Sequence, residues 1–413
     1  MSVEAQPRPL RANRDFVLLW SGAGSMLLGS KVTVFVYPLL ALWATQSATA
    51  AGVVTAAVLL PQLLVQLPAG VLVDRVDRRR LMVLCDVGCI LLTGSVAVAV
   101  LLGHVWIAQL VAVAFLQGSL VICYDLAERA AVRHVVPVPQ LSSALSQNEA
   151  RARAAGMLGQ PIGSGLFALA RWSPFLFTVV THLVSLVTLL LIRKQFQAGR
   201  PERRDFRAEV VEGLRWIWGQ RLLRTAMMLI SVSNIVFAGL GLAVMFVVKT
   251  GGGSAAVLGV ITAIGGLGGM VGALTATRWL AWLSMRALLV GGFTAWALTV
   301  VPVAFADDPI TLGAAFAAFG YIGGVFNVAG GVYLVSIAPD AMMGRAVSVM
   351  TLLGSGLAFL GGLVVGPLLD AVGATPTVLG LAAVMAALAV GALASPVVRA
   401  ATATVSGAAP KRS

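Results

Sequence analysis

Twelve long apolar runs constrain this chain more than any other feature. They lie roughly at 16–44, 49–73, 81–102, 105–125, 142–169, 174–192, 225–248, 255–276, 287–305, 310–337, 346–369 and 376–397. Each supplies the about 20 apolar residues that a helix needs to cross a bilayer core. A lone strand in lipid leaves its backbone donors and acceptors unpaired, so the runs predict helices. Hydrophobic residues make up 59% of the 413 and charged residues 11%, about half the charged share usual for soluble domains. The expected fold class is therefore an all-α integral membrane protein with twelve transmembrane helices.

The arginines predict its orientation. All but five of the 29 basic residues fall in the two tails and in alternate loops, on one side of the twelve runs. The opposite side carries only Arg171 and Lys249, and Lys31, Arg151 and Arg153 fall inside runs. By the positive-inside rule both termini are expected in the cytoplasm. The net charge of +13 then reports topology, and no nucleic-acid partner is expected. The polar N-terminus runs straight into a helix too long for a signal-peptide core, so no cleavable signal is expected. Cys85, Cys89 and Cys123 lie within runs and suggest neither disulfides nor zinc. A chain rich in Arg, Ala and Gly suits a bacterial plasma membrane.

The longest polar segment, 193–224, separates six runs from six. It predicts a 16–192 bundle, a linker and a 225–398 bundle, between cytoplasmic tails at 1–15 and 399–413. Within the linker, Val210, Val211, Leu214, Ile217 and Trp218 recur at helical spacing. That pattern reads either as a linker helix or as an amphipathic helix on the lipid surface. The halves also show weak internal symmetry. Gly70 and Gly272 each stand near the end of an even-numbered run, and the same interval separates Pro137 from Pro339.

Between the second and third runs stands Gly70-Val-Leu-Val-Asp74-Arg75-Val-Asp-Arg78-Arg79-Arg80. This turn resembles the signature loop of the major facilitator superfamily, whose fold is two pseudo-symmetric six-helix bundles. The resemblance implies a gate in which Asp74 is held by basic partners. Arg129 fits that part, with Gly70, Arg75, Arg78 and Asp125 beside it. Gly156-Met-Leu-Gly159-Gln-Pro161-Ile-Gly163-Ser-Gly165 resembles the glycine-proline motif of the superfamily's antiporters, although Gln160 and Ser164 replace two of its glycines. Small residues at such spacing let helices approach closely. The turn Pro339-Asp340-Ala-Met-Met-Gly344-Arg345-Ala-Val-Ser348 and the run Ser146-Gln-Asn148-Glu149-Ala-Arg151-Ala-Arg153 are similar to those of bacterial exporters of the enterobactin-exporter and macrolide-efflux type. Gly344 and Arg345 join the expected gate. One departure stands out: Ala114-Phe-Leu-Gln117-Gly118 lacks the arginine of the R-x-x-Q-G motif of many proton-coupled drug antiporters.

Charges at membrane depth are costly and need a reason. Lys31 lies midway along the first run, and it is either hydrogen-bonded for packing or part of a cavity that takes an anionic or carbonyl-rich solute. Glu149 reads as the only carboxylate well inside a span. Four residues before Arg153, it is either a structural pair or a proton carrier. His182 is either a packing residue or a relay. Tyr37, Gln117, Asn234, Tyr321 and Asn327 fall on the first, fourth, seventh and tenth runs, which line the cavity in the superfamily; with Lys31 they form the expected substrate set.

Together these features predict a secondary transporter that exports a drug-like molecule or secondary metabolite, such as a siderophore or antibiotic, by alternating access and proton antiport. Protons and lipid are its expected partners, besides the small-molecule substrate, and a monomer its expected state. No cofactor is expected, and no G-x-x-x-x-G-K-[ST] loop for ATP occurs. An importer of a nutrient or peptide-like solute is the rival within transport, and a transport-dead sensor the rival outside it. Three scattered histidines and no acidic cluster argue against an enzyme.

Overall fold

The structure, a computed structural model, describes residues 10–194, 196, 206–306 and 308–401, without the side chains of 206–210, 340, 341, 344, 345 and 348. Its described residues form helices and connecting turns, with no strand among them. The helices are α1 (Arg14–Thr45), α2 (Ala48–Leu64), α3 (Gln66–Arg75), α4 (Arg78–Leu101), α5 (Ile107–Val135), α6 (Leu141–Leu169), α7 (Ser173–Leu191) and α8 (Phe206–Gly219). They continue as α9 (Arg221–Thr250), α10 (Ala255–Trp282), α11 (Met285–Val300), α12 (Pro309–Ile337), α13 (Asp340–Gly356), α14 (Phe359–Val372), α15 (Ala374–Ala394) and the short α16 (Pro396–Ala400).

Among the described residues, ten spans are long and apolar enough to cross a membrane, and α2 with α3 makes an eleventh, bent by 53°. The bend has a covalent cause. Pro68 has no amide to give the carbonyl of Leu64, and its ring crowds that carbonyl, so the helix breaks there. The twelfth is α6, whose 29 residues span a bilayer by length but carry Glu149, Arg151 and Arg153. The eleventh run also breaks, between α13 and α14, at a Gly354-Ser-Gly356 stretch. There Ser231 and Asn234 of α9 donate to the carbonyls of Leu353 and Gly354, at 2.6 and 2.7 Å. Those carbonyls lie in the last turn of α13, where helical partners run out.

The chain divides into two compact units, Met1–Tyr37 with Pro61–Arg204, and Pro38–Leu60 with Asp205–Ser413. Of the three boundaries, the first two fall at an intrahelical proline, Pro38 in α1 and Pro61 in α2. The second unit thus contains the end of α1 and most of α2.

In the first unit, α4 shows how the sequence chooses its faces. Met82, Cys85, Asp86, Cys89, Thr93 and Val96 are buried, whereas Leu84, Leu91 and Val98, each seven positions on, face outward. An apolar outer face is what lipid requires. One core packs the starts of α1 and α4 with the ends of α3, α5 and α7, around Phe16, Leu19, Met82, Tyr124, Val135 and Leu189.

In the second unit, the linker helix α8 buries Ile217 among Leu223, Met227, Leu334 and Val349, so it is docked on protein along that face. α10 and α12 meet along glycines. A Cβ added at Gly268, Gly272, Gly320 or Gly324 would collide with a backbone carbonyl of the opposite helix. The symmetry landmarks match in backbone: Pro137 has φ −60, ψ 144 and Pro339 has φ −60, ψ 147, each opening a helix.

Candidate functional site

The basic turn is built from helix ends. α3 stops at Arg75, and the Asp77 carboxylate accepts from the amide of Arg80 at 2.8 Å, capping α4. Arg78 is buried, donates to the carbonyl of Phe196 at 3.2 Å and lies 3.5 Å from His134 Nδ1. Arg79 donates to the carbonyl of Leu190 at 3.0 Å, at the C-terminal end of α7 where a cation is favoured. Gly70 lies half-buried in α3, and Asp74 and Arg75 are exposed. The expected Asp74–Arg129 pair is corrected here. α5 continues past the anticipated end of its span to Val135, and Arg129 pairs with Asp125 on the same helix at 3.0 Å. The nearest acid, one turn away, captures it. Gly344 and Arg345 lie outside the described side chains.

Glu149 also needs correction as the only carboxylate well inside a span. Its side chain is 61% exposed and pairs at 2.9 Å with Arg153, itself 68% exposed. The buried carboxylates are Asp86 and Glu128. Glu128 meets Arg151 at 3.3 Å, their side chains 3% and 9% exposed. It also accepts from Asn148 at 3.0 Å, while Arg151 donates to the carbonyl of Trp20 at 3.0 Å. This cluster joins α1, α5 and α6. Asp86 joins α4 to α7: its Oδ1 is 2.8 Å from His182 Nδ1, and its Oδ2 accepts from Ser185 at 2.7 Å. Ser185 is in turn 2.8 Å from the Tyr124 hydroxyl of α5. Glu128 escaped sequence reading because the charges at 125, 128 and 129 look like a loop. The spacing of Tyr124, Glu128 and Ala131 on one helical face was the signal that could have found it.

The expected substrate residues separate into tied and free. In the first unit, Tyr37 donates to Gln117 Oε1, and Gln117 donates to Thr33 at 3.0 Å. Tyr37 and Gln117 are both buried, so they form a closed polar triad. Lys31 is exposed on the face of α1 that meets α6. There Gly159 and Gly163 permit the approach. A Cβ at Gly159 would lie 2.5 Å from Lys31 Cβ, and one at Gly163 would lie 3.2 Å from the carbonyl of Val32. A Cβ at Gly156 or Gly165 would meet nothing within 4 Å. Pro161 lies inside α6 between the two packing glycines.

In the second unit, Asn234 is spent on the α13 carbonyl. The Tyr321 hydroxyl accepts from Thr275 at 3.0 Å and from Trp279 at 2.7 Å. Asn327 is exposed and donates only to its own helix, at Gly323. Around them stands an aromatic cluster that sequence reading did not assemble. Phe237 lies 4.8 Å from Trp296 and 4.7 Å from Phe319, with Phe293 and Phe326 packed on the same indole. The segment Pro38–Leu60 belongs to this unit and is fastened at two helix ends. Lys249 donates to the carbonyl of Leu42 at 2.7 Å, and Asp370 accepts from Ser47 Oγ and from the amides of Ala48 and Thr49. Close glycine contacts accompany this: Gly52 and Gly362 approach so nearly that a Cβ on either would strike the other's carbonyl. No group of three His, Cys, Asp or Glu side chains is placed to hold a metal among the described residues.

The sequence is 28% identical over 399 residues to the multidrug efflux pump Tap of Mycolicibacterium fortuitum, covering 93% of this chain and 95% of that one. The fold is similar to that of the nucleoside transporter NupG, with a TM-score of 0.71, 12% identity, and coverage of 92% of this chain and 98% of that one. It is also similar to a D-xylose-proton symporter, with a TM-score of 0.64, 16% identity, and coverage of 95% and 98%. The family model described as Major Facilitator Superfamily matches residues 19–362. With that match and the membrane-length helices, the chain belongs to the major facilitator superfamily of membrane transporters.

Proposed function

We propose that this transporter exports an amphipathic drug-like molecule or secondary metabolite, such as an antibiotic or siderophore, from a bacterial cytoplasm in exchange for protons. The observation that carries this is the relationship to a multidrug efflux pump along 93% of the chain. The side-chain chemistry supports it. Tyr37, Gln117, Asn234 and Tyr321 already spend their polar groups on protein partners, which leaves Lys31 and Asn327 as the freer polar contacts. Phe237, Phe319 and Phe326, half-buried against the buried Trp296, supply aromatic surface of the kind a bulky solute needs. In this reading both termini are cytoplasmic, the transporter works by alternating access as a monomer, and the Asp74–Arg80 turn takes part in gating.

The test is accumulation of ethidium, macrolides and a siderophore panel in a pump-deficient bacterium, with and without a protonophore. Lower accumulation that the protonophore abolishes is the expected result. Raised accumulation by correctly inserted protein would make the chain an importer, and insensitivity to the protonophore would remove the proton from the mechanism. Glu149→Gln is expected to export as wild type does.

A further inference from the structure

The group formed by Asp86, His182, Ser185 and Tyr124 has no place in gating or solute binding, and its chemistry is unusual for a membrane interior. Asp86 and Ser185 are fully buried, and Tyr124 and His182 are 1% exposed. The contacts fix a proton order. Ser185 donates to Asp86 Oδ2, so its oxygen is left to accept from the Tyr124 hydroxyl. With Asp86 ionised, His182 must donate through Nδ1 to Oδ1, 2.8 Å away. The imidazole is then neutral and the cluster carries one unpaired negative charge away from water, an expensive arrangement.

The nearest ionisable groups do not relieve that charge. Cys85 and Cys89 on α4 and Tyr124 on α5 are electrostatically coupled to Asp86. Each is neutral when protonated, and none can supply a cation. Cys123 of α5 couples to Cys85. α1 packs on α7 through Gly22 against Thr188 and Gly29 against Thr181, and its residues 22–29 contain no titratable side chain. What remains is His182 Nε2. It is buried and has no hydrogen-bond partner among the described residues, so its lone pair is open to a proton.

We infer that Asp86 and His182 form a proton-binding site inside the first unit, and that it holds the proton exchanged for solute; the coupling role rests on the antiport reading above. One proton from water adds to Nε2, the imidazole becomes imidazolium, and the cluster passes from one negative charge to a neutral ion pair. Release reverses the step. The bond from Asp86 to α7 is strongest when the proton is present, so protonation tightens α4 against α7 and release loosens them. That makes the packing of these helices depend on one proton.

The test uses the full-length protein in lipid nanodiscs with nitrogen-15-labelled histidine. The chain has three histidines, and His182→Asn identifies the resonances of interest. Between about pH 5 and pH 8, His182 Nε2 is expected to change from an unprotonated to a protonated signal. Asp86→Asn removes the attraction for the imidazolium, so protonation is expected to require a pH lower by about one to three units. A His182 signal that stays fixed over that range in the wild type overturns the site, whether or not any variant folds. An unchanged midpoint in folded Asp86→Asn does so too. Ethidium export measured in the same preparation separates the two readings. A titrating His182 with protonophore-insensitive export keeps the proton site and overturns its coupling role. Protonophore-sensitive export that Asp86→Asn leaves at the wild-type rate overturns that role while antiport stands.

Discussion

Asp370 accepts a 2.8 Å hydrogen bond from the backbone amide of Ala48, a residue 322 positions earlier that opens α2. With Thr49 and Ser47 also bonded to it, this carboxylate performs from α14 the task that an N-cap side chain performs from within a helix. Asp370→Ala is expected to cost about 1 kcal/mol, and Asp370→Asn, which keeps an acceptor, less. Thermal unfolding in detergent compares them; identical midpoints for Asp370→Ala and wild type would show that the cap holds nothing.

The glycine-proline motif of α6 is expected to divide sharply under substitution. Gly159→Ala forces a methyl group against Lys31 Cβ at 2.5 Å, which overpacks the α1 contact and costs about 1–3 kcal/mol. Gly165→Ala meets open space and is expected to be neutral or slightly stabilising, since alanine favours a helix over glycine by about 1 kcal/mol. Melting midpoints of the two single variants decide it, and equal losses would mean the α1–α6 approach is wrong.

Two ion pairs on neighbouring faces are expected to behave differently because one is buried. Removing Glu128 as Gln leaves Arg151 without its counter-charge at 9% exposure, a change that costs about 3–5 kcal/mol. Glu149→Gln breaks an exposed i,i+4 pair worth about 0.2–0.5 kcal/mol. The double variant Glu128→Gln with Arg151→Met is expected to recover part of the first loss. Unfolding midpoints of all three rank the pairs, and a Glu149→Gln loss larger than that of Glu128→Gln would reverse their assignment.

Lys31 is exposed and no ion pair holds it among the described residues. Lys31→Ala is therefore expected to leave stability within about 0.5 kcal/mol of wild type while reducing export of anionic or carbonyl-rich compounds. Initial efflux rates for an anionic and a cationic dye separate a recognition role from a general defect. Equal loss for both dyes would count against recognition.

The helices were legible because bilayer thickness imposes a length on apolar runs, and each of the twelve runs coincides with a helix or a broken pair. The site was legible only in its residue types. Tyr37, Gln117 and Asn234 were visible as polar side chains on apolar helices, but hydrogen bonds across 80 to 120 positions obey no local spacing. The apolar run ends at 125, which leaves Arg129 to Asp74; the helix runs on to Val135 and hands it to Asp125. Asp86 is one charge in an apolar run, yet its meaning comes only from His182, which α7 brings from 96 positions away.

The matching backbone at Pro137 and Pro339 gives a ruler between the first and second parts of the chain. Displaced by that same interval, Asp86, Glu128, Arg151 and His182 become Leu288, Gly330, Leu353 and Val384. At that interval these four buried ionisable side chains of the first half correspond to hydrocarbon or glycine positions in the second. If Asp86 and His182 hold the exchanged proton, acidity is felt in one half of the chain only, and the other half has no buried carboxylate at the corresponding positions.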